Sequence, residues 1–321
     1  MTSNKTKLSV IIAVYNGEET IGRALDSVLL QDTDFNFEII VVDDASTDDT
    51  KKVVENYKKI SKKIRLLENK ENRGKGFSVM KAYKAALGEY FHILDADDYF
   101  ISYNKLQKQA DFLDENLDYI AVAHNSVMLF DDNQISFVRK ELQPRSYSYE
   151  EAVSNKFYFH TSSYMYRKLE EKLPEIFLIE AMRGDSGLFF YHVFKSKKKV
   201  MYFPDISSVY HIHGHGIWSG MTNEAKYTLT KNLFRTYLDK IIIDKSTMEY
   251  RIWEKKLNIL LETGKYIPSE YDTRNINDEL QYCRNNLTKL YSSAIREKAF
   301  KGMYSLKLVD QICEEIGRAH V

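Results

Sequence analysis

An α/β fold, in which helices flank a mainly parallel central sheet, is the fold class that the sequence predicts. Short apolar runs rich in β-branched residues alternate with segments whose apolar residues recur at helical spacing. Several of these runs end abruptly in carboxylates. Strands that alternate with helices indicate βαβ units, which form parallel sheets with helices on both faces.

The amino-terminal part of the chain follows this alternation most regularly. The predicted strands cover residues 8–14, 37–42, 64–67 and 89–94. Predicted helices cover residues 18–31 and 77–87, and a further helix follows the second strand, with Ser46 or Thr47 as its expected N-cap. In such sheets ligands bind beyond the carboxyl ends of the strands. We therefore expect Asp43 and Asp44, which end the second strand, to share one crevice with the acids that end the fourth.

Those acids are Asp95, Asp97 and Asp98, which directly follow a buried apolar run. Desolvating a carboxylate is costly, so the three side chains should lie at a mouth open to solvent or ligand. Carboxylates this close repel one another unless a cation joins them, and oxygen ligands suit Mg²⁺ or Mn²⁺. From this stretch alone, an acidic loop that caps a helix remains an equal alternative.

The remaining two thirds of the chain continue the α/β pattern and then become helical. A helix is predicted at residues 103–116, strands at 120–124, 125–130 and 202–210, and a hairpin turn at 131–134. From about residue 223 the chain is polar and rich in lysine, with helical patterns at residues 227–243, 248–261 and 275–295.

Composition excludes several classes of protein. Basic and acidic residues number 46 each, which argues against a nucleic-acid partner. The two cysteines have no CxxC spacing, which argues against a disulfide scaffold or a zinc site. No secretory signal is evident, and no apolar run approaches the ~20 residues of a membrane-spanning helix. We expect a soluble, cytoplasmic protein, and leave open peripheral attachment to the inner face of the membrane.

Four motifs follow one another along the first hundred residues. They are Ala13-Val14-Tyr15-Asn16, Val41-Val42-Asp43-Asp44-Ala45-Ser46-Thr47-Asp48-Asp49-Thr50, Asn72-Arg73-Gly74-Lys75-Gly76 and Asp95-Ala96-Asp97-Asp98. In order and spacing they resemble the motifs of the family 2 glycosyltransferases, which have the Rossmann-like GT-A fold. The resemblance is sharp over residues 8–100, looser to about residue 220, and then fades. One position departs from the family pattern, because Ala13 stands where the family often has proline.

The resemblance implies an inverting enzyme that uses a nucleotide diphosphate sugar and a divalent metal, Mg²⁺ or Mn²⁺. Asp44 would accept a hydrogen bond from a uracil-type N–H or a ribose hydroxyl, and Asp43 would orient the loop or contact the ribose. Helix capping is the alternative for this pair, and a plain loop is the alternative for Arg73 and Lys75. The residues that would bind the nucleotide sugar are Val14, Tyr15, Asn16, Asp43, Asp44, Arg73, Lys75, Asp95, Ala96 and Asp97, and the metal ligands would be Asp97, Asp98 and His213.

Asp185 is the predicted catalytic base, because it matches the position of the base in the family. Inversion requires a base on the face opposite the leaving group, from a different part of the chain than the metal site. The alternative is that Asp185 only caps the helix that follows it. His160 is interpreted as a histidine of the core or rim, rather than a substrate contact. His211, His213 and His215 resemble the Tyr-x-x-His segment that closes the catalytic domain, not a zinc site, and Trp218 and Ser219 are expected in a lid.

The predicted organisation is a catalytic domain at residues 1–222, with a nucleotide-sugar half at 1–100 and an acceptor half at 101–222. A helical region at 223–314 follows, with roles in docking, acceptor recognition or homo-oligomerisation left open. Residues 315–321 resemble a translated sequencing adapter. We expect them to be non-native and the helical region to be truncated.

Three functions follow from this reading. The first is transfer of a hexosyl or N-acetylhexosaminyl group from a UDP-sugar to a hydroxyl of a glycan or lipid-linked glycan, in surface polysaccharide biosynthesis. The second is transfer onto a polyprenyl phosphate, which the Asn72–Gly76 turn also resembles and the Asp185 motif argues against. The third is a catalytically inactive module that binds sugar nucleotides, and the intact acids at every motif argue against it.

Overall fold

A computed structural model of the chain describes residues 5–130, 135–139, 141, 143–154, 159–174, 184–213 and 220–266. The described strands form one sheet of ten strands. They are β1 Leu8–Val14, β2 Phe37–Asp43, β3 Ile64–Glu68, β4 Tyr90–Ile93, β5 Tyr99–Phe100, β6 Tyr119–Phe130, β7 Ile135–Phe137, β8 Arg145–Tyr147, β9 Tyr164–Arg167 and β10 Lys199–Ile212.

Most helices lie where the sequence predicts them, but the short helix Tyr149–Val153 was not predicted, and the helix predicted at 227–243 begins earlier and ends in a π-helical turn. Between the strands lie α1 Ile21–Leu29, α2 Thr50–Ile60, α3 Lys75–Ala85, α4 Lys105–Glu115, α5 Tyr149–Val153 and α6 Gly184–Ser196. A 3₁₀ turn at Thr161–Ser163 precedes β9. Two helices end the described chain, α7 Asn223–Thr236 and α8 Met248–Thr263, with a π-helical turn at Tyr237–Ile241 between them. None of the helices described here is both long and apolar enough to cross a membrane.

The strand order is β3-β2-β1-β4-β9-β6-β10-β5, with β7 beside β6 and β8 beside β10. The prediction of an α/β fold with a central sheet flanked by helices is confirmed. Strands β3, β2, β1 and β4 are parallel, as the βαβ pattern predicts. The second half is mixed, because β9 runs antiparallel to both β4 and β6 while β6 and β10 are parallel.

The sequence of β2 is almost continuously apolar because this strand is buried on both faces of the sheet. Ile39 and Val41 pack in the cluster that contains α1 and α4, whereas Ile40 and Val42 pack in the cluster that contains α3 and α6. Successive side chains of a strand point to opposite faces. The sheet therefore separates two apolar cores, and the polar residues that end each strand are left at its edges.

Two local expectations are wrong. Ser46 and Thr47 do not cap α2, which begins at Thr50 after Asp49. Instead the Ser46 hydroxyl accepts from the Asn16 amide at 2.9 Å, so this polar loop is tied to the loop after β1. The strands predicted at 120–124 and 125–130 are one strand, β6. It pairs with β10 along its length, and the register of this pairing shifts within β10.

The carboxyl-terminal helices share a core with α6. Trp253 is fully buried, and its ring lies 4.8 Å from that of Phe190 and 5.2 Å from that of Phe194. The domain boundary at residue 222 stays a prediction. In the structure, α7 and α8 contribute to the same apolar cluster as the sheet. The helix predicted at 275–295 and the tail at 315–321 lie outside the described residues.

We expect Trp253→Ala to lower the free energy of unfolding by about 3–5 kcal/mol, because it opens a cavity in this shared core. Ile243→Ala is the matched control, since Ile243 is 88% exposed and its truncation should change stability by less than about 0.5 kcal/mol. Urea denaturation of both variants measures the difference. Equal values would show that the carboxyl-terminal helices are not part of one cooperative core.

Candidate functional site

The carboxyl ends of β2, β1 and β4 lie side by side, and the loops that follow them form the candidate site. The Asp44 amide donates to the Val14 carbonyl at 2.8 Å, so the second loop is joined to the end of β1. The Asn16 side chain accepts from the Thr47 amide at 2.8 Å. The first two motifs are therefore bonded to each other, and Tyr15, which is 49% exposed, projects from them.

Asp44 organises the glycine-bearing third motif. Its carboxylate is buried and accepts from the Asn69 amide side chain at 2.6 Å, the Arg73 amide at 2.9 Å and the Gly74 amide at 2.7 Å. Gly74 has a φ of 83°, a conformation that favours glycine. Asp43 is also buried and accepts from the Ser46 amide at 3.2 Å, as expected of a residue that orients its loop.

Lys75 joins the third motif to the fourth. Its ammonium lies 2.7 Å from the Asp95 carboxylate. Burial alone would lower the pKa of Lys75, but the charges of Asp95, Asp185 and Asp97 outweigh this and raise it, so the side chain is a fixed cation. Arg73 lies further out, over the Phe77 ring at 4.3 Å and 3.7 Å from Glu71.

Asp98 does not lie at an open mouth, and that part of the sequence prediction is wrong. It is 1% exposed, because the tight turn after β4 directs its side chain inward, where Oδ1 accepts from the His211 amide at 3.0 Å. Its Oδ2 is buried with no hydrogen-bond partner among the described residues, and lies 3.4 Å from Nδ1 of His160. Burial, together with Asp97 and Asp95, raises the pKa of Asp98 well above its usual range.

These residues fit a divalent cation. One ligand atom each from Asp95, Asp98 and His160 lie within 4.8 Å of one another. Two carboxylates and an imidazole are suitable ligands for Mn²⁺. A bound cation would also be an interaction partner for Oδ2 of Asp98, which has no hydrogen-bond partner among the described residues. Burial and the nearby Lys75 charge lower the pKa of His160 to about 3, so its imidazole is neutral, as a metal ligand must be.

A second group of candidate ligands is more accessible. Nε2 of His213 lies 2.9 Å from Oδ2 of Asp97, and their side chains are 22% and 32% exposed. The sequence predicted this pair as metal ligands, and the structure brings them together across the sheet from β10 to the turn after β4. An ion that also binds a diphosphate must be reachable from solvent, a condition that the Asp97–His213 pair meets and the buried Asp98 carboxylate does not.

The candidate base, Asp185, is joined to the same site by the 3₁₀ turn. Its Oδ2 accepts from the Thr161 hydroxyl at 2.7 Å, and its Oδ1 from the Ser186 amide at 2.7 Å. The N-cap interpretation is not what the structure has, since α6 begins at Gly184 and Asp185 lies inside its first turn. A carboxylate in the first turn is stabilised by the helix dipole.

His160 is buried and its Nδ1 lies 2.8 Å from the Ser162 hydroxyl, as the interpretation of a core or rim histidine predicts, but its position beside Asp98 was not predicted. The residue is buried, stacks on Tyr210 with ring centroids 3.8 Å apart, and borders Asp98 on one side and Thr161 on the other. The polar run Thr161-Ser162-Ser163 was a signal that its surroundings are not apolar core. The pairing with Asp98 has no local signature, because the residues are far apart in sequence. The expected lid at Trp218 and Ser219, and the turn at 131–134, lie outside the described residues.

Solved structures with the same fold include glycosyltransferases. TarS of S. aureus, residues 1–349 in complex with UDP-GlcNAc, matches with a TM-score of 0.60 and 21% identity over 80% of this chain and 72% of that one. The mannosyltransferase PcManGT from Pyrobaculum calidifontis, in complex with GDP-Man and Mn²⁺, matches with a TM-score of 0.55 and 17% identity over 99% of this chain and 87% of that one.

The sequence relatives include an uncharacterized protein and a putative glycosyltransferase. The uncharacterized protein Rv1520 of Mycobacterium tuberculosis is 29% identical over 70% of this chain and 64% of its own length. The putative teichuronic acid biosynthesis glycosyltransferase TuaG of Bacillus subtilis is 34% identical over 48% of this chain and 60% of its own length. The matches thus span less than two thirds of these relatives. The model of glycosyl transferase family 2 matches residues 9–173, just over half of the chain, and the protein belongs to this family.

Proposed function

We propose that the protein transfers a hexosyl or N-acetylhexosaminyl group from a UDP-sugar to a hydroxyl of a glycan or lipid-linked glycan, with inversion at the anomeric carbon. The observation that carries the proposal is the convergence of one fixed cation, three clustered carboxylates and a separate carboxylate at a single edge of the sheet. Family membership supplies the reaction class, and these residues supply roles for the donor, the metal and the acceptor.

The donor is held by the first three motifs and Lys75 in this proposal. Tyr15, Asn16 and Asp44 lie where the base and ribose would bind, and Lys75 is fixed beside the acids where the diphosphate would bind. A bound Mg²⁺ or Mn²⁺ supplies Lewis acid stabilisation of the departing nucleotide diphosphate. The accessible Asp97 and His213 would hold it, and the buried Asp98 and His160 form the neighbouring group of candidate ligands.

Asp185 is the proposed general base. Its carboxylate oxygens accept hydrogen bonds from Thr161 and Ser186. An ionised carboxylate is an acceptor and not a donor, which suits a group that takes the proton of the acceptor hydroxyl. The contribution of Asp185 to the pKa of Lys75 supports a position close to the diphosphate site. Asp185 belongs to α6 rather than to the strand ends that carry the metal ligands, which suits a base on the face opposite the leaving group.

The acceptor context rests on relatives. TuaG is described as a putative glycosyltransferase of teichuronic acid biosynthesis, which supports a role in making a surface polysaccharide. We extend this to a cytoplasmic enzyme that works at the inner face of the membrane on a lipid-linked glycan.

The proposal predicts slow, metal-dependent hydrolysis of a nucleotide sugar when no acceptor is present. TarS carries UDP-GlcNAc and PcManGT carries GDP-Man, so a panel of UDP- and GDP-sugars covers both bases. We expect a UDP-sugar to be hydrolysed, EDTA to abolish turnover, and Mn²⁺ or Mg²⁺ to restore it. An inactive binding module would bind nucleotide by calorimetry and hydrolyse none of the panel. Full activity in EDTA, with metal shown absent, would remove the metal from the proposal.

The two histidines distinguish the two groups of candidate ligands. We expect His213→Phe to weaken Mn²⁺ binding by at least about 10-fold, since even indirect partners of a metal ligand contribute that much. His160→Phe, which keeps an aromatic ring against Tyr210, should have the smaller effect. Electron paramagnetic resonance of free Mn²⁺ measures both affinities. The reverse order would assign the ion to Asp95, Asp98 and His160.

Asp185→Asn should reduce the rate of transfer by about 10²–10⁴-fold, because asparagine keeps the size of the side chain but cannot accept the proton. Nucleotide affinity and melting temperature should stay close to those of the unchanged protein, since the amide oxygen of the introduced asparagine can still accept a hydrogen bond from Thr161. Asp185→Ala, which also removes that acceptor, serves as the comparison for stability. An Asp185→Asn enzyme with normal transfer would rule out the role of general base.

A further inference from the structure

Lys105 is a lysine with no exposed surface, at the first position of α4. Lysines are almost never fully buried unless their ammonium group is partnered. Burial lowers the pKa of Lys105 well below its usual range. Neither the donor-binding motifs nor the candidate metal ligands include this residue, so its retention in the core needs a separate explanation.

The partners of Lys105 are other buried polar groups. Its Nζ lies 2.9 Å from Nε2 of His92, 2.8 Å from Oε1 of Gln109 and 3.3 Å from the carbonyl oxygen of Ser163. The Gln109 amide donates to the same Ser163 carbonyl at 2.8 Å and to the Val122 carbonyl at 3.1 Å. Two side chains of α4 therefore hold one backbone carbonyl of the 3₁₀ turn.

The turn that they hold connects the two halves of the candidate active site. The Ser163 amide donates to the His160 carbonyl at 2.9 Å, which closes the turn. His160, before the turn, lies 3.4 Å from Asp98, and Thr161, within it, donates to Asp185 at 2.7 Å. A shift of the turn would move the contacts of the buried acid and of the candidate base together.

We propose that Lys105, with Gln109, is a positioning residue that fixes the turn Thr161–Ser163 and so sets Asp185 relative to the acid cluster. Its catalytic consequence rests on the function proposed above. Lys105 touches neither donor nor acceptor in this view and acts only through the Ser163 carbonyl. Effects of this kind are large in active sites, where a displacement of 1 Å can cost about 10²-fold in rate.

Lys105→Met tests the proposal, because methionine fills similar space and donates no hydrogen bond. Lys256→Met is the matched control, since Lys256 is partly buried and donates to a backbone carbonyl, that of Ser154, at 2.6 Å far from the turn. Gln109→Leu removes the second hydrogen bond to the Ser163 carbonyl. It is the variant to measure if Lys105→Met does not fold. All are made in the full chain.

Amide hydrogen exchange gives a measurement that does not depend on activity. We expect Lys105→Met to raise exchange at the Ser163 amide by about 10-fold, the equivalent of one weakened hydrogen bond, while the amides of β1 and β2 stay unchanged. Lys256→Met should leave Ser163 unchanged. Unchanged exchange at Ser163 in both Lys105→Met and Gln109→Leu would overturn the proposal, as would a uniform rise across the sheet.

Transfer kinetics then separate positioning from a purely structural role. Lys105→Met should lower kcat by up to about 10²-fold and leave KM for the donor unchanged. With Thr161→Val, which removes the bond to Asp185, the combined loss should be smaller than the product of the two single losses, because both act through one turn. Independent, multiplicative losses would overturn the proposal. If the unchanged protein transfers no sugar, the proposed function fails, and hydrogen exchange alone decides whether Lys105 holds the turn.

Discussion

Mutual repulsion among the carboxylates after β4 is the constraint on which the site depends. Asp95, Asp97 and Asp98 occur within four residues, and each is accommodated by a different part of the chain. Asp95 pairs with Lys75 from the start of α3, Asp97 with His213 after β10, and Asp98 accepts from the His211 amide. The acids thereby draw the third motif and the end of β10 to one edge of the sheet.

The same edge is reached from the other side by α6. Asp185 in its first turn is close enough to Lys75 to help raise the pKa of that lysine, while Phe190 and Phe194 further along the helix pack against Trp253 of α8. The hydroxyl of Tyr237 donates to the carbonyl of Gly187, only two residues beyond Asp185. The carboxyl-terminal helices thus contribute to the position of the candidate base, although they lie outside the match to the family model.

The interior next to the site contains several buried polar side chains. His92 and Lys105 are fully buried, and so are Ser162 and Ser208, whose hydroxyls lie 3.1 Å apart. Nδ1 of His92 has no hydrogen-bond partner among the described residues. In contrast, Lys105 bonds to the Ser163 carbonyl and Ser162 to Ser208. Displacing a bonded group of this kind leaves a buried donor or acceptor unpaired, at a cost of about 1–3 kcal/mol. These bonds therefore stabilise the position of the turn that lies next to Asp98 and Asp185.

The sequence by itself determined the α/β fold, the parallel direction of the first strands and the edge of the sheet where the acids meet. These follow from local patterns: β2 is apolar throughout because it is buried on both faces, and parallel strands bring Asp43 and Asp95 to one edge. Asp97 and His213 could be paired because both belong to recognisable motifs. The family followed from the order of those motifs and is confirmed.

Only the tertiary structure decided which way each side chain of the site points. Nothing local indicates that Asp98 turns inward while Asp97 stays accessible, because this depends on the His211 amide, more than a hundred residues away in the chain. The contacts of His160 with Asp98 and of Lys105 with Ser163 were hidden for the same reason, since these partners belong to other parts of the chain. Local sequence patterns specify periodicity and burial, whereas the partner of a buried polar group is set by contacts that form only when distant segments pack together.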